Sequence, residues 1–166
     1  MRRLIALVMV LAVALLGPLA IVQAQESTPQ ATPEVGLPVE VLGAGPSSLA
    51  PGHGLAVAHA TFPPGVLEPN RHVHPFDYVV AIESGSFVFT IEAGTLLLMR
   101  ARSTEPEPAP LDEEITVGPG ESFAGNPDVV WGPERVEGDE PVVAMLAILA
   151  PEGAPETQYL DATPMP

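Results

Sequence analysis

HVHPFDYVVAIESGSFVFTIEAG, residues 72–94, carries two β-favouring runs almost back to back. Asp77 to Glu83 leads into Ser84-Gly85-Ser86, and Phe87 to Glu92 leads into Ala93-Gly94. Runs rich in Val, Ile and Phe that end on Gly and Ser read as strands joined by a tight turn. Side chains alternate across a strand, so every second residue shares a face. If that phase holds through Pro75, then His72, His74, Phe76, Tyr78, Val80 and Ile82 line one side. Asp77, Val79, Ala81 and Glu83 line the other. The first set is the expected interior of a small barrel, where a cavity takes one small ligand.

The same grammar extends outward. Leu55 to Phe62 runs into Pro63-Pro64-Gly65, and Thr95 to Arg102 follows the second turn. Ile115 to Val117 precedes Gly118-Pro119-Gly120. Val142 to Leu149 is the last long apolar run, and Pro141 and Pro151 at its flanks favour a strand over a helix. With 21 prolines in 166 residues, long helices have almost no room. Short strands at regular spacing predict an all-β sandwich or barrel over residues 39–150. The charged, Pro-rich stretch 103–114 reads as a solvated loop on the rim. Residues 151–166 read as a Pro-rich tail that either packs as an arm or frays.

The N-terminus has the form of an export signal. Arg2 and Arg3 precede an unbroken apolar run from Leu4 to Leu16, then Gly17-Pro18, then Val22-Gln23-Ala24 with small or apolar residues before the expected cut. Cleavage after Ala24 gives a secreted or extracytoplasmic chain of 142 residues; an uncleaved N-terminal membrane anchor is the alternative. Residues 25–38, polar and rich in Pro and Gln, read as a disordered linker.

Charge excludes whole classes of partner. All six basic residues are Arg, and two belong to the signal, which leaves four Arg against 21 Asp and Glu, a formal net of −17. Nucleic acid and anionic membrane surfaces need a positive footprint that this chain lacks, so no contact with a membrane is expected beyond the export signal. The absence of Cys rules out disulfides and thiol nucleophiles, and the absence of Lys rules out a Schiff base. No Gly-x-Ser-x-Gly elbow occurs.

The sharpest chemical feature is His72-Val73-His74, because two imidazoles on one strand face form half of a transition-metal site. Gly65 stands upstream of the pair and Gly85 stands at the turn beyond it. On Gly65, His72, His74 and Gly85, the chain resembles the cupin family across residues 53–150. The resemblance implies a single cupin-type antiparallel β-barrel, the double-stranded β-helix or jelly roll. It also implies a divalent ion (Fe, Mn, Ni, Cu or Zn) held by three His and one Glu. Here Tyr78 occupies the Glu position. In the second motif, Trp131 stands for the His and Arg135 for the Asn. Family members often pair through their sheets, so a homodimer is one expected assembly.

Two imidazoles alone hold a divalent ion weakly. Tyr78 is a tentative third metal ligand, although its phenol would have to be deprotonated by the ion. His59, Trp131 and Arg135 are tentative pocket residues. Each has a plainer reading: a hydrogen-bonded histidine, an aromatic packed at the rim, and a surface ion pair. Three functions stay open. They are an exported small-molecule or metal-binding module, a metal-dependent enzyme of oxygenase or isomerase type, and a structural or interaction protein that has lost its site. Whether a metal is held at all stays open too.

Overall fold

The structure, a computed structural model, describes residues 38–160. The expected export signal, nearly all of the expected linker and the last six residues lie outside the described residues. In chain order the strands are β1 (Val39–Pro46), β2 (His53–Phe62), β3 (Gly65–Glu68), β4 (His72–Val73), β5 (Asp77–Ser84), β6 (Ser86–Ala93) and β7 (Leu97–Met99). Then come β8 (Glu107–Pro108), β9 (Glu114–Val117), β10 (Ser122–Gly125), β11 (Val130–Glu137), β12 (Val142–Pro151) and β13 (Gln158–Tyr159). No helix occurs among the described residues.

The strands form two antiparallel sheets. One has seven strands in the order β1-β2-β12-β5-β10-β7-β8, and the other has six in the order β13-β4-β11-β6-β9, with β3 also on β11. The expected all-β, cupin-type antiparallel barrel is the fold observed. The two strands read from residues 77–92 are β5 and β6, and at the turn between them Gly85, at a positive φ of 81°, sends them into different sheets. Leaving one sheet for the other is how a jelly roll turns its corners. β12 lies between β2 and β5, paired to β2 along its whole length and to β5 from Val143 to Leu149 with an irregularity after Val143.

The core fills the space between the sheets. Tyr78, Val80 and Ile82 of β5 meet Phe87, Phe89 and Ile91 of β6, with Phe123 and Trp131 beside them. Phe89 lies 4.8 Å from Trp131 and 5.1 Å from Phe123, ring centre to centre, within the range of favourable aromatic pairs. Residues 103–114 differ from their expected form. They are not simply a loop: Glu107–Pro108 pairs with Leu97 and Leu98 as the outermost strand of the larger sheet. The backbone N–H groups of Ala109 and Asp112 donate to the carbonyls of Leu96 and Ile91. The segment follows the sheet because its backbone groups find partners there.

Candidate functional site

Each functional side chain owes its place to a strand. β4 pairs with β11, and His72 stands opposite Trp131. His72 is 1% exposed, the one fully buried polar or charged side chain among the described residues. His74, just past β4, turns the same way. Its ring centre is 5.1 Å from that of His72, 5.8 Å from Trp131 and 5.6 Å from Tyr78. The three residues named as tentative metal ligands therefore stand together, with Trp131 among them.

A hydrogen bond joins the two positions where the chain departs from the cupin motifs. The Trp131 indole N–H donates to the Tyr78 hydroxyl at 2.9 Å, buried in the barrel. Gly125, opposite Tyr78 on β10, makes room for it: a Cβ there would lie 2.2 Å from the Tyr78 hydroxyl oxygen. Burial drives the Tyr78 phenol well above its usual range; the Trp131 hydrogen bond opposes this and the nearby Glu134 adds to it. A phenol held neutral and already accepting a hydrogen bond is a poor metal ligand.

Both imidazoles are fixed through the same ring atom. Nδ1 of His72 is 3.0 Å from the Asn70 carbonyl oxygen, and Nδ1 of His74 is 2.8 Å from that of Glu156. A carbonyl can only accept, so each Nδ1 carries a proton, and the atom each ring can offer as an acceptor is Nε2. Burial lowers the His74 pKa to about 4; the Glu156 hydrogen bond opposes this and His72 adds to it. His74 is thus a neutral acceptor at pH 7.

Glu134 completes the cluster, and the sequence did not single it out. Its Oε1 lies 3.6 Å from His72 Nε2, and its side chain is only 14% exposed. Burial, with the Glu68 carboxylate close by, pushes its carboxyl up to about 8, so at pH 7 it is mostly a protonated donor. Glu68 is itself held by the Asn70 backbone and side-chain amides, both at 3.0 Å, and by the Tyr159 hydroxyl at 2.7 Å.

Residues 151–160 run back over this cluster. Gln158 and Tyr159 pair with Val73 and His72, and the Leu160 N–H donates to the Arg71 carbonyl at 2.9 Å. The C-terminal stretch is thus an arm across β4, and it supplies the carbonyl that orients His74.

Two tentative pocket residues stand elsewhere. His59 is on the outer face of the larger sheet, with Nε2 3.4 Å from Glu83 Oε1. Its neighbours Ala58 and Ala60 take the inward positions. Arg135 points outward and donates to Glu114 Oε2 at 2.7 Å, a surface ion pair. The third, Trp131, is 2% exposed and fills the interior.

The donor set does not suit a three-His, one-Glu ion. Tyr78 and Trp131 occupy two of the four positions and bond to each other. Among the described residues, no three His, Cys, Asp or Glu side chains converge as metal ligands. What the cluster does offer is acceptor nitrogens and a protonated carboxyl in a nearly dry setting.

No family model matches the chain, and no curated protein matches its sequence. Solved structures similar to it include a cupin-like protein of Thermotoga maritima, with 14% identity over 74% of each chain and a TM-score of 0.39. A DMSP lyase is 15% identical over 63% of this chain and 43% of that one, with a TM-score of 0.42. Oxalate decarboxylase of Bacillus subtilis, an enzyme with Mn(II) centres, is 20% identical with a TM-score of 0.41. This chain covers 64% of its own length and 24% of that enzyme, so it spans about a quarter of it. These likenesses concern fold alone and bring no activity, metal or ligand to this chain. By its strand order and its two facing antiparallel sheets, the chain has a cupin-type fold.

Proposed function

We propose that this chain is an extracytoplasmic binding module that holds a small, neutral, polar molecule at the β4–β11 face of its barrel. One observation carries the reading: both Nδ1 atoms are committed to backbone carbonyls, which leaves Nε2 of His72 and of His74 as acceptors, that of His72 3.6 Å from the Glu134 carboxyl. A few convergent polar groups against aromatic walls are the usual make-up of a small-molecule site. Neutral acceptors and a neutral donor in a desolvated place select against charged ligands, whose burial would go uncompensated. The export signal expected from residues 1–24 puts the module outside the cytoplasm.

The test pairs metal analysis with a ligand screen. The chain without an affinity tag is compared with a His72→Ala/His74→Ala variant. Each is assayed for bound metal and for thermal shifts with sugars, polyols and small amides. The expected result is no stoichiometric metal, and at least one neutral compound that stabilises the wild type but not the variant. Near-stoichiometric metal, lost in the variant, would replace this reading with a metal centre.

A further inference from the structure

The inward face of the larger sheet is not covered along its whole length. On β2 and β12 the core side carries Ala58, Ala60 and Ala144, all buried. Toward the start of β2 the same face opens. The pairing registers set Ala44 and Pro46 of β1, Ala56 and Gly54 of β2, and Ile148 and Ala150 of β12 in two adjacent rows on that side. Ala44 and Pro46 are exposed, and the other four are half-buried. All but Ile148 are Gly, Ala or Pro, so the floor is low, and a hollow of about 560 Å3 stands over it. Small-molecule sites measure about 300–1,000 Å3. Leu55 and Pro151 add apolar wall, and among the described residues no aromatic or uncharged hydrogen-bonding side chain lines it. One charged side chain does. Glu152, just past β12, is fixed there by its backbone N–H, which donates to the Gly52 carbonyl at 2.9 Å. Among the described residues no Arg pairs with it; Arg100 goes to Glu107 and Glu121, and Arg135 to Glu114.

We infer that this hollow is a second ligand site, for an amphiphile with a cationic head and a saturated hydrocarbon tail. The tail follows from the lining. Aliphatic walls without rings or side-chain donors recognise an occupant by apolar burial, which grows with each methylene taken out of water. A sugar or a nucleobase would leave its polar edges unpaired there. Contiguous exposed apolar surface of this kind marks a binding groove rather than ordinary exterior. The head follows from charge. Glu152 offers a carboxylate where β12 stops, and a formal net charge of −15 raises the local concentration of cations. An anionic head, such as that of a fatty acid, meets repulsion and finds no Arg in the lining. The hollow is separate from the His72–His74 cluster: its residues come from β1, β2 and β12 and the turn after it, none from β4 or β11. Binding here requires neither imidazole.

The test is calorimetric titration of the untagged chain with decyltrimethylammonium and with decyl sulfate, each below its micelle concentration. Ala44→Trp fills the hollow from an exposed edge position, and Glu152→Lys reverses the charge at its end. Circular dichroism confirms that each variant is folded. The expected result is one cation bound per chain, with decyl sulfate at least tenfold weaker. Shortening the tail by two methylenes should weaken the cation by about tenfold. Ala44→Trp should weaken it at least tenfold, and Glu152→Lys should reverse the preference between the two heads. The His72→Ala/His74→Ala variant should bind as the wild type does. No saturable binding, many weakly held cations per chain, or a sulfate bound as tightly as the cation would overturn the inference. So would a cation that neither Ala44→Trp nor Glu152→Lys disturbs. Loss in the double histidine variant would move the ligand to the β4–β11 face and overturn it as well. A wild-type dimer in sedimentation velocity that Ala44→Trp dissociates would give the hollow to a second copy, against the inference.

Discussion

Tyr78 and Trp131, joined by one buried hydrogen bond, decide what this barrel interior can hold. Removing the Tyr78 hydroxyl leaves the buried indole N–H without its acceptor, and such an orphaned group costs about 1–3 kcal/mol. Tyr78→Phe should therefore lower stability by that amount in urea unfolding; no loss would mean that the indole finds another acceptor. Glu134 and His74 set the pH dependence in opposite directions. Unfolded, Glu134 gives up its proton near 4.5; folded, it keeps it to about 8. The folded state holds the extra proton in that window, so stability falls as pH rises from 4.5 to 8. Unfolded His74 takes a proton near 6.5, and the folded group resists until about 4, so its contribution is lost as pH drops through that range. Between 4.5 and 6.5 the two slopes oppose each other. Above 6.5 the Glu134 limb stands alone, with a slope of at most about 1.4 kcal/mol per pH unit. Glu134→Gln should flatten it in urea midpoints measured from pH 6.5 to 8. The His pair was legible in the sequence, since two histidines one residue apart share a strand face. Glu134 was not. It is one of 21 acidic residues, and the irregularity between Trp131 and Glu134 shifts the strand phase. Strict alternation from Trp131 would have put it outside.

Among the elements, the C-terminal arm is the most weakly held. Tyr159 and Leu160 stay 44% and 47% exposed, so hydrogen bonds rather than apolar burial keep β13 on β4. Segments of this kind open at low free energy. Deleting residues 155–166 should lower the melting temperature by only a few degrees. It should also raise the rate at which diethyl pyrocarbonate modifies His74, with His53 as the unchanged internal reference. An unaltered His74 rate would show that the barrel, not the arm, shields it. The strands read at residues 55–62, 77–92 and 142–149 were plain in the sequence because β-branched and aromatic runs end on Gly or Pro. β8 and β13 were not. Each is two residues long, drawn from a Pro-rich polar stretch, and stays in place only because a neighbouring strand offers free backbone partners.

At the scale of the whole molecule, charge and topology dominate. A formal net charge of −15 makes the folded state repel itself. Raising NaCl from 0.1 to 1 M shortens the screening length from about 10 to 3 Å, so the melting temperature should climb. A fall would mean that the surface pairs, such as Arg135 with Glu114, outweigh that repulsion. Strand spacing foretold an all-β sandwich or barrel, and only the resemblance carried by Gly65, His72, His74 and Gly85 narrowed it to the cupin-type barrel, because single-strand periodicity does not say which strands become neighbours. β12 has one more consequence. It is the last long strand made, yet it occupies the slot between β2 and β5. A nascent chain that has reached only Pro141 holds the two parts of its larger sheet with nothing to join them. The ribosome must release residue 151 before the sheet can close, so this barrel completes its fold only after nearly all of it has been synthesised.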